Sequence, residues 1–410
     1  MNRKLNPSTV YYIYSGAVAF FLSLIFTMSQ VYRIDMIQLN PFQLVLVGTV
    51  LEASCFLFEI PTGVVADIRS RRISVIIGIT MMGTAFLLEG AIPLFFTVII
   101  SQVLWGMGYT FTSGADEAWI ADEIVEKDLD ALYLKSAQIG QIFSLAGIIF
   151  STVLGAYRVN LPILAGGALF LLLSIFLLRF MREDHFTPAP VENRNTWGQM
   201  RHTFLEGLRF IRSKPVLRMI LIISLLYGLY SEGFDRLWTL HFMTDIGFPD
   251  HIQLKPAVWV GIIDGTAMVL SILAVEYLKR GMKKTGKLQN VWILTLINFL
   301  MVIAILFFGL SGNFTLGLST YLMFFILRKT NQPIFDAWRN KHIKSEVRAT
   351  VLSTFGQMDA LGQVIGGPVL GLIALKLSIP AAIVGSGIIL APIVILLIIS
   401  NRKNKIPPNI

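Results

Sequence analysis

The sequence predicts an all-α polytopic membrane protein of twelve transmembrane helices in two pseudo-symmetric six-helix bundles. Three observations predict it. Apolar windows of about 20 residues, the length a helix needs to cross the hydrocarbon core, recur twelve times between short polar breaks. Composition agrees: 55% of residues are hydrophobic, only 14% are charged and mean hydropathy is +0.69, far from the balance of a soluble domain. The two halves also share sequence. Residues 139–155, IGQIFSLAGIIFSTVLG, align without gaps on 355–371, FGQMDALGQVIGGPVLG, and EAWIAD (Glu117–Asp122) matches DAWRNK (Asp336–Lys341). Parallel repeats of six spans imply a central cavity between halves.

The first window, from Tyr11, follows MNRKLNPSTV and leads into further spans, so it is retained rather than cleaved. The second, Phe42 to Ala66, carries Glu52 and Glu59 and exits into a charged loop, Asp67 to Arg72. The third starts near Ile73 and places Glu89 close to its outer end. Windows from Phe95, Lys135 and Asn160 complete this half, with Asp116 and Glu117 in the fourth. The one long connection comes next. Its Pro-rich start reads as linker. From Trp197 onward, Trp197, Met200, Phe204, Leu208 and Ile211 alternate with Arg201, Glu206, Arg209 and Arg212 at helical spacing, the pattern of an interfacial amphipathic helix. The second half opens at Leu217 with Glu232, Asp235 and Arg236, and continues at Ala257 with Asp264 and Glu276. It then runs through windows from Leu288, Phe314 (with Arg328), Val347 (with Asp359) and Ile379. The domains are therefore 1–182, an N-terminal bundle; 183–216, a cytoplasmic linker with the amphipathic helix; and 217–410, a C-terminal bundle.

The net charge of +9 is sorted by segment and forms no nucleic-acid face. With the N-terminus inside, the cytoplasmic segments hold Arg3, Lys4, Arg69, Arg71, Arg72, the basic centre from Arg179 to Arg218, Lys279 to Lys287, Arg339 to Arg348 and Arg402 to Lys405. The outer segments hold Arg33, Arg158, Lys255 and Lys376. That asymmetry predicts a multi-pass plasma-membrane protein with both termini cytoplasmic. A single cysteine, Cys55, rules out an intrachain disulfide framework and a thiolate metal cluster, and the five scattered histidines predict no metal site. Nucleophile triad, histidine cluster and phosphate loop are all missing, so an enzyme is not expected.

Ionisable groups at membrane depth are costly unless paired or facing water, so each is a candidate functional group. Glu52 and Glu59, seven residues apart, share one helix face about 10 Å apart along the axis. Desolvated carboxylates titrate nearer neutrality, as a proton carrier requires. Glu52, Glu59, Glu89, Asp116 and Asp235 are the candidates for proton coupling or cavity lining; for Glu59 a purely structural bond to a neighbouring helix is an equal alternative. Glu232 and Arg236 have the i, i+4 spacing of an intrahelical pair. Arg328 and Asp359, at comparable depth on adjacent helices, are candidates for an interhelical ion pair, and Glu276 belongs with Lys279 and Arg280 at the surface.

These features resemble the major facilitator superfamily over the whole chain. The variant signature Glu-x-Pro-x5-Asp-x3-Arg-[Lys/Arg] is matched by Glu59, Pro61, Asp67, Arg71 and Arg72, and resembles that of tetracycline efflux proteins of the TetA(P) type, in the drug:proton antiporter group that includes macrolide exporters. Two elements of commoner drug antiporters are replaced: Gln102 in QVLWGMG stands where they carry arginine, and the Gly-Pro motif of their fifth span has its likeness only in GGPVLG of the eleventh. The resemblance implies proton-coupled efflux of a tetracycline- or macrolide-like compound by alternating access, or, as the alternative, same-fold transport of a small metabolite or sugar. It further implies a cytoplasmic latch: Gly63 permits close helix approach, Asp67 accepts hydrogen bonds from the other half, and Arg71 and Arg72 hold the acid in place. No cofactor beyond a proton gradient is expected. The expected partners are a small-molecule substrate and the lipid bilayer, with the monomer as the working unit.

Overall fold

A computed structural model describes residues 5–124, 129–188, 198, 205, 207–212, 214–285, 291–343 and 347–403. In hydrocarbon each backbone donor and acceptor must be satisfied within its own segment, so apolar windows fold as helices. All twelve do. The helices are α1 (Pro7–Val31), α2 (Pro41–Ile68), α3 (Arg71–Ala91), α4 (Phe95–Thr112), α5 (Ala115–Glu123), α6 (Leu129–Tyr157), α7 (Leu161–Phe180), α8 (Pro215–His241), α9 (Pro256–Thr285), α10 (Val291–Gly309), α11 (Phe314–Lys341), α12 (Arg348–Lys376) and α13 (Ile379–Lys403). The fourth window is two helices, because Gly114 breaks it with φ +74°, a left-handed backbone that favours glycine. Eleven of the spans are long and apolar enough to cross a membrane; α11 is outside that set and carries Arg328, Lys329, Asp336, Arg339 and Lys341. Of the predicted amphipathic segment only Gly198, Leu205 and 207–212 are described, as helix, and the rest of it lies outside the described residues.

The chain forms two compact units: Met1–Gln38 with Val50–Met200 and Leu254–Ile262, and Leu39–Thr49 with Arg201–Gln253 and Ile263–Ile410. In the first, α1 packs on α6 and α7, and α3 on α4 and α7. In the second, α8 packs on α12 and α13, and α10 on α11 and α13. The repeated stretches 139–155 and 355–371 hold matching places: α6, which carries the one, packs on α1, and α12, which carries the other, packs on α8. Both α1 and α8 end in a π turn, Tyr32–Met36 and Phe242–Ile246. Each unit has an aromatic core. Phe21, Phe170 and Phe86 line up in the first, with ring centroids 5.1 Å apart for Phe21 and Phe170; Phe234 and Phe324 meet at 4.2 Å in the second.

Apolar side chains left uncovered match a hydrocarbon solvent. On α7, Leu172, Ile175 and Leu178 are 59%, 62% and 55% exposed at three-residue spacing, a greasy stripe that a water-soluble surface rarely carries.

Helix boundaries correct one expectation about the charged loop. Asp67 lies in the last turn of α2 and α3 starts at Arg71, so the break is only Arg69 and Ser70. Ser70 caps α3 by accepting from Ile73 N at 3.0 Å, and Glu183 accepts from Arg72 N at 3.0 Å and from the Ser70 hydroxyl. A carboxylate on a helix N-terminus is favoured by the unpaired amides there.

Candidate functional site

In the first unit the most deeply buried charges satisfy one another. Glu89 is fully buried at 0% exposure, although its place near a helix end suggests an interfacial position. Arg33 Nε donates to Glu89 Oε1 at 2.9 Å, with Nη2 at 2.8 Å from the same oxygen; Ser101 Oγ and Gln102 Nε2 donate to Oε2 at 3.0 Å each. Tyr32 Oη donates to the Glu89 backbone carbonyl at 2.5 Å. Gln102 thus serves the Glu89 carboxylate, and the cation comes from Arg33 at the end of α1. A carboxylate so surrounded is suited to fastening α1, α3 and α4 together.

A second polar group of this unit is more open. Glu52 is half-buried and Glu59 exposed on α2; the Tyr109 phenol on α4 lies within electrostatic reach of Glu52, Asp116 and Glu59. Asp116, at the start of α5, accepts from Glu117 N at 2.8 Å and is hydrogen-bonded to Tyr14 of α1. Four of the five predicted proton-coupling candidates therefore belong to this unit, and three of them share one electrostatic neighbourhood.

Of the residues predicted to form a latch, Arg71 and Arg72 are bonded within the first unit. Arg71 Nη1 donates to the Ala118 carbonyl at 2.9 Å and to Asp122, and Arg72 Nη2 donates to the Leu178 carbonyl at 2.7 Å. The two arginines fasten α5 and α7 to the start of α3 instead of holding Asp67.

The second unit contains a cavity of about 270 Å³ among α8, α10, α11 and α12. Its central feature is an ion pair, and the partner differs from the one expected: Arg328 grips Asp235 with both Nη atoms, at 2.5 and 2.9 Å, rather than Asp359. Asp235 on α8 reaches the guanidinium fork squarely, whereas Asp359 Oδ2 on α12 accepts from Gln363 Nε2 at 2.8 Å, one helical turn away. The Arg328 guanidinium also lies 5.8 Å from the Tyr230 ring centroid. Both members of the pair stay about one-third exposed, at 33% and 36%.

Polar and aromatic groups line the cavity and back its wall. Tyr227 Oη donates to Asn298 Oδ1 at 2.8 Å, Asn298 Nδ2 donates to Asn331 Oδ1 at 3.0 Å, and Asn331 Nδ2 donates back to Tyr227 Oη at 2.8 Å. Arg339 Nη2 holds Asp336 at 2.8 Å. Glu232 and Arg236 form the intrahelical pair at 3.1 Å, against Gly48, where any Cβ would collide with both side chains. A search for ionisable groups passes over Tyr227, Asn298 and Asn331. The signal that finds Asn298 is a lone asparagine inside an otherwise apolar span, VWILTLINFLMVIAILFFG, whereas Asn331, among the charges of α11, and Tyr227 carry no such mark.

Among the described residues no group of three or more His, Cys, Asp or Glu could hold a metal ion. Comparisons with known proteins add the wider setting. The profile described as Major Facilitator Superfamily matches residues 8–366. An "uncharacterized MFS-type transporter", YxaM of Bacillus subtilis (strain 168), is 25% identical over 376 residues, covering 88% of each chain. Among solved structures, a point mutant of the nucleoside transporter NupG superposes with a TM-score of 0.78 at 15% identity, over 98% of this chain and all of that one. A POT family transporter in complex with a thioalcohol-conjugated peptide gives 0.77 at 12%, over 97% and 96%. A bacterial homologue of the human lysosomal transporter Spinster gives 0.76 at 12%, over 99% and 100%. At such identities these structures show the shared fold alone.

Proposed function

The chain belongs to the Major Facilitator Superfamily and is a membrane transporter, and we propose that it is proton-coupled and carries a small amphipathic organic compound by alternating access. One observation carries this reading: the Arg328–Asp235 pair lines the same aromatic and polar cavity as a second carboxylate, Asp359. Protonating Asp235 removes the charge that holds Arg328. Each pKa unit by which two conformations differ for such a group shifts their balance by about 1.36 kcal/mol. The second group of carboxylates, Glu52, Glu59 and Asp116 around Tyr109, offers a further place for a proton.

Two cargo classes are in play. Export of a tetracycline- or macrolide-like drug is supported by the signature at Glu59, Pro61, Asp67, Arg71 and Arg72. Transport of a small metabolite is favoured by the small size of the cavity, about 270 Å³, at the lower end of the range for ligand sites.

Inside-out vesicles containing the full chain test both parts. Tetracycline, erythromycin, uridine and a dipeptide are offered with a pH gradient and again after an uncoupler collapses it. Uptake of at least one probe should require the gradient, and Asp235→Asn should abolish that dependence. Uptake that survives collapse in the parent protein overturns proton coupling.

A further inference from the structure

The ring Tyr227–Asn298–Asn331 has a direction, and that direction decides what the cavity can bind. Asn298 Nδ2 also donates to the Leu294 backbone carbonyl at 2.8 Å. Turning the Asn298 amide over would set its oxygen against that carbonyl, acceptor to acceptor, so its orientation is fixed. The Tyr227 phenol must then donate its single proton to Asn298 Oδ1 while accepting from Asn331, and what it has left to offer is a lone pair. Asn298 itself is fully buried and does not line the cavity. It acts as a positioning residue.

Of the two acids in the lining, Asp359 has no ion pair among the described residues, and Arg328 and Arg339 act on it only at longer range. Arg328 is bidentate on Asp235, Arg339 holds Asp336, and Arg236 holds Glu232. Lys329 lies 5.5 Å from the Phe325 ring centroid and outside the cavity lining. Asp359 has as its hydrogen-bond partner among the described residues only the neutral amide of Gln363, on Oδ2, which leaves Oδ1 as an acceptor for a ligand. Tyr227 and Asp359 are close enough to interact electrostatically. The lining thus presents a carboxylate oxygen and a phenol lone pair together, beside the rings of Tyr230, Phe335 and Phe355. An anion would meet both acceptors here and an Arg328 fork already filled by Asp235; Arg339, also in the lining, holds Asp336 through Nη2 and keeps its Nε without a partner among the described residues.

We propose that this cavity takes a protonated primary amine on a compact aromatic or apolar body, its ammonium donating to Asp359 and to the Tyr227 oxygen. This rests on the reading that the cavity is the cargo site. A charge-assisted hydrogen bond of this kind distinguishes an ammonium from a neutral donor by about tenfold or more in affinity.

Calorimetric titration of the purified full chain in detergent with 2-phenylethylamine, 2-phenylethanol and 3-phenylpropionate tests it. The amine should bind about tenfold tighter than the alcohol, and the acid weakest. Asp359→Asn should remove about tenfold from the amine while leaving the alcohol within about twofold, and Asp359→Glu should keep the amine preference. Tyr227→Phe should lower the amine-to-alcohol ratio. The inference is overturned if the parent binds the alcohol or the acid as tightly as the amine, or if Asp359→Asn weakens amine and alcohol equally. Flux in proteoliposomes is measured separately. Gradient-driven flux of a cargo indifferent to the amine sinks this inference alone, whereas amine binding without any flux sinks the cargo-site reading alone.

Discussion

Glu89 and Arg33 form a buried ion pair in which neither side chain is more than 3% exposed. Removing one partner of such a pair leaves a charge in a dry site and costs about 3–5 kcal/mol, while replacing both with apolar residues of similar size is often neutral. Glu89→Leu should therefore lower the unfolding free energy of the detergent-solubilised protein by that amount, and Arg33→Met with Glu89→Met should recover most of it. A single variant within about 1 kcal/mol of the parent in denaturant titration would overturn this account. At this scale the sequence marks Glu89 as a charge needing a reason, but its partner is 56 residues away, and spacing rules reach only along one helix. The same limit explains Arg328. Its depth is legible in the sequence; the choice between Asp235 and Asp359 depends on how α8, α11 and α12 turn about their axes, which hydropathy does not encode.

Helix α8 meets α12 at backbone contact. A Cβ on Gly228 would strike the Asp359 carbonyl, and one on Gly362 would strike the Leu225 carbonyl. Small residues allow this approach, and it brings Asp359 and Tyr227 into one cavity lining. Gly228→Val should force the helices apart, lowering the melting temperature by the equivalent of about 1–3 kcal/mol and weakening cargo binding with it. Unchanged melting and unchanged affinity together would show that the crossing does not position the site. The glycines of GQVIGGPVLG announce close packing in the sequence, yet the surface they pack on appears only once α8 is placed against them. The end of α2 departs from the expected loop for a related reason: charge at Asp67 reads as loop, but a helix end emerging from the membrane can carry charge and continue to Ile68.

For the whole molecule, the bias of lysine and arginine between alternate connections predicts both termini in the cytoplasm. With Cys55 replaced by serine, Arg158→Cys should react with a membrane-impermeant maleimide on intact cells, and Arg69→Cys only after permeabilisation. Both positions are exposed, so access depends on the side of the membrane. The reverse labelling would invert the topology. The number of spans, the all-helical class and the two related halves follow from the chain's own pattern, because a bilayer demands about 20 apolar residues per crossing and admits few other backbones. Which polar side chains meet follows only from the folded molecule. Arg328 with Asp235, Arg33 with Glu89, and the ring of Tyr227, Asn298 and Asn331 each join helices far apart in the chain. Such contacts depend on the rotation and crossing of packed helices, quantities set by side-chain shape rather than by hydrophobicity.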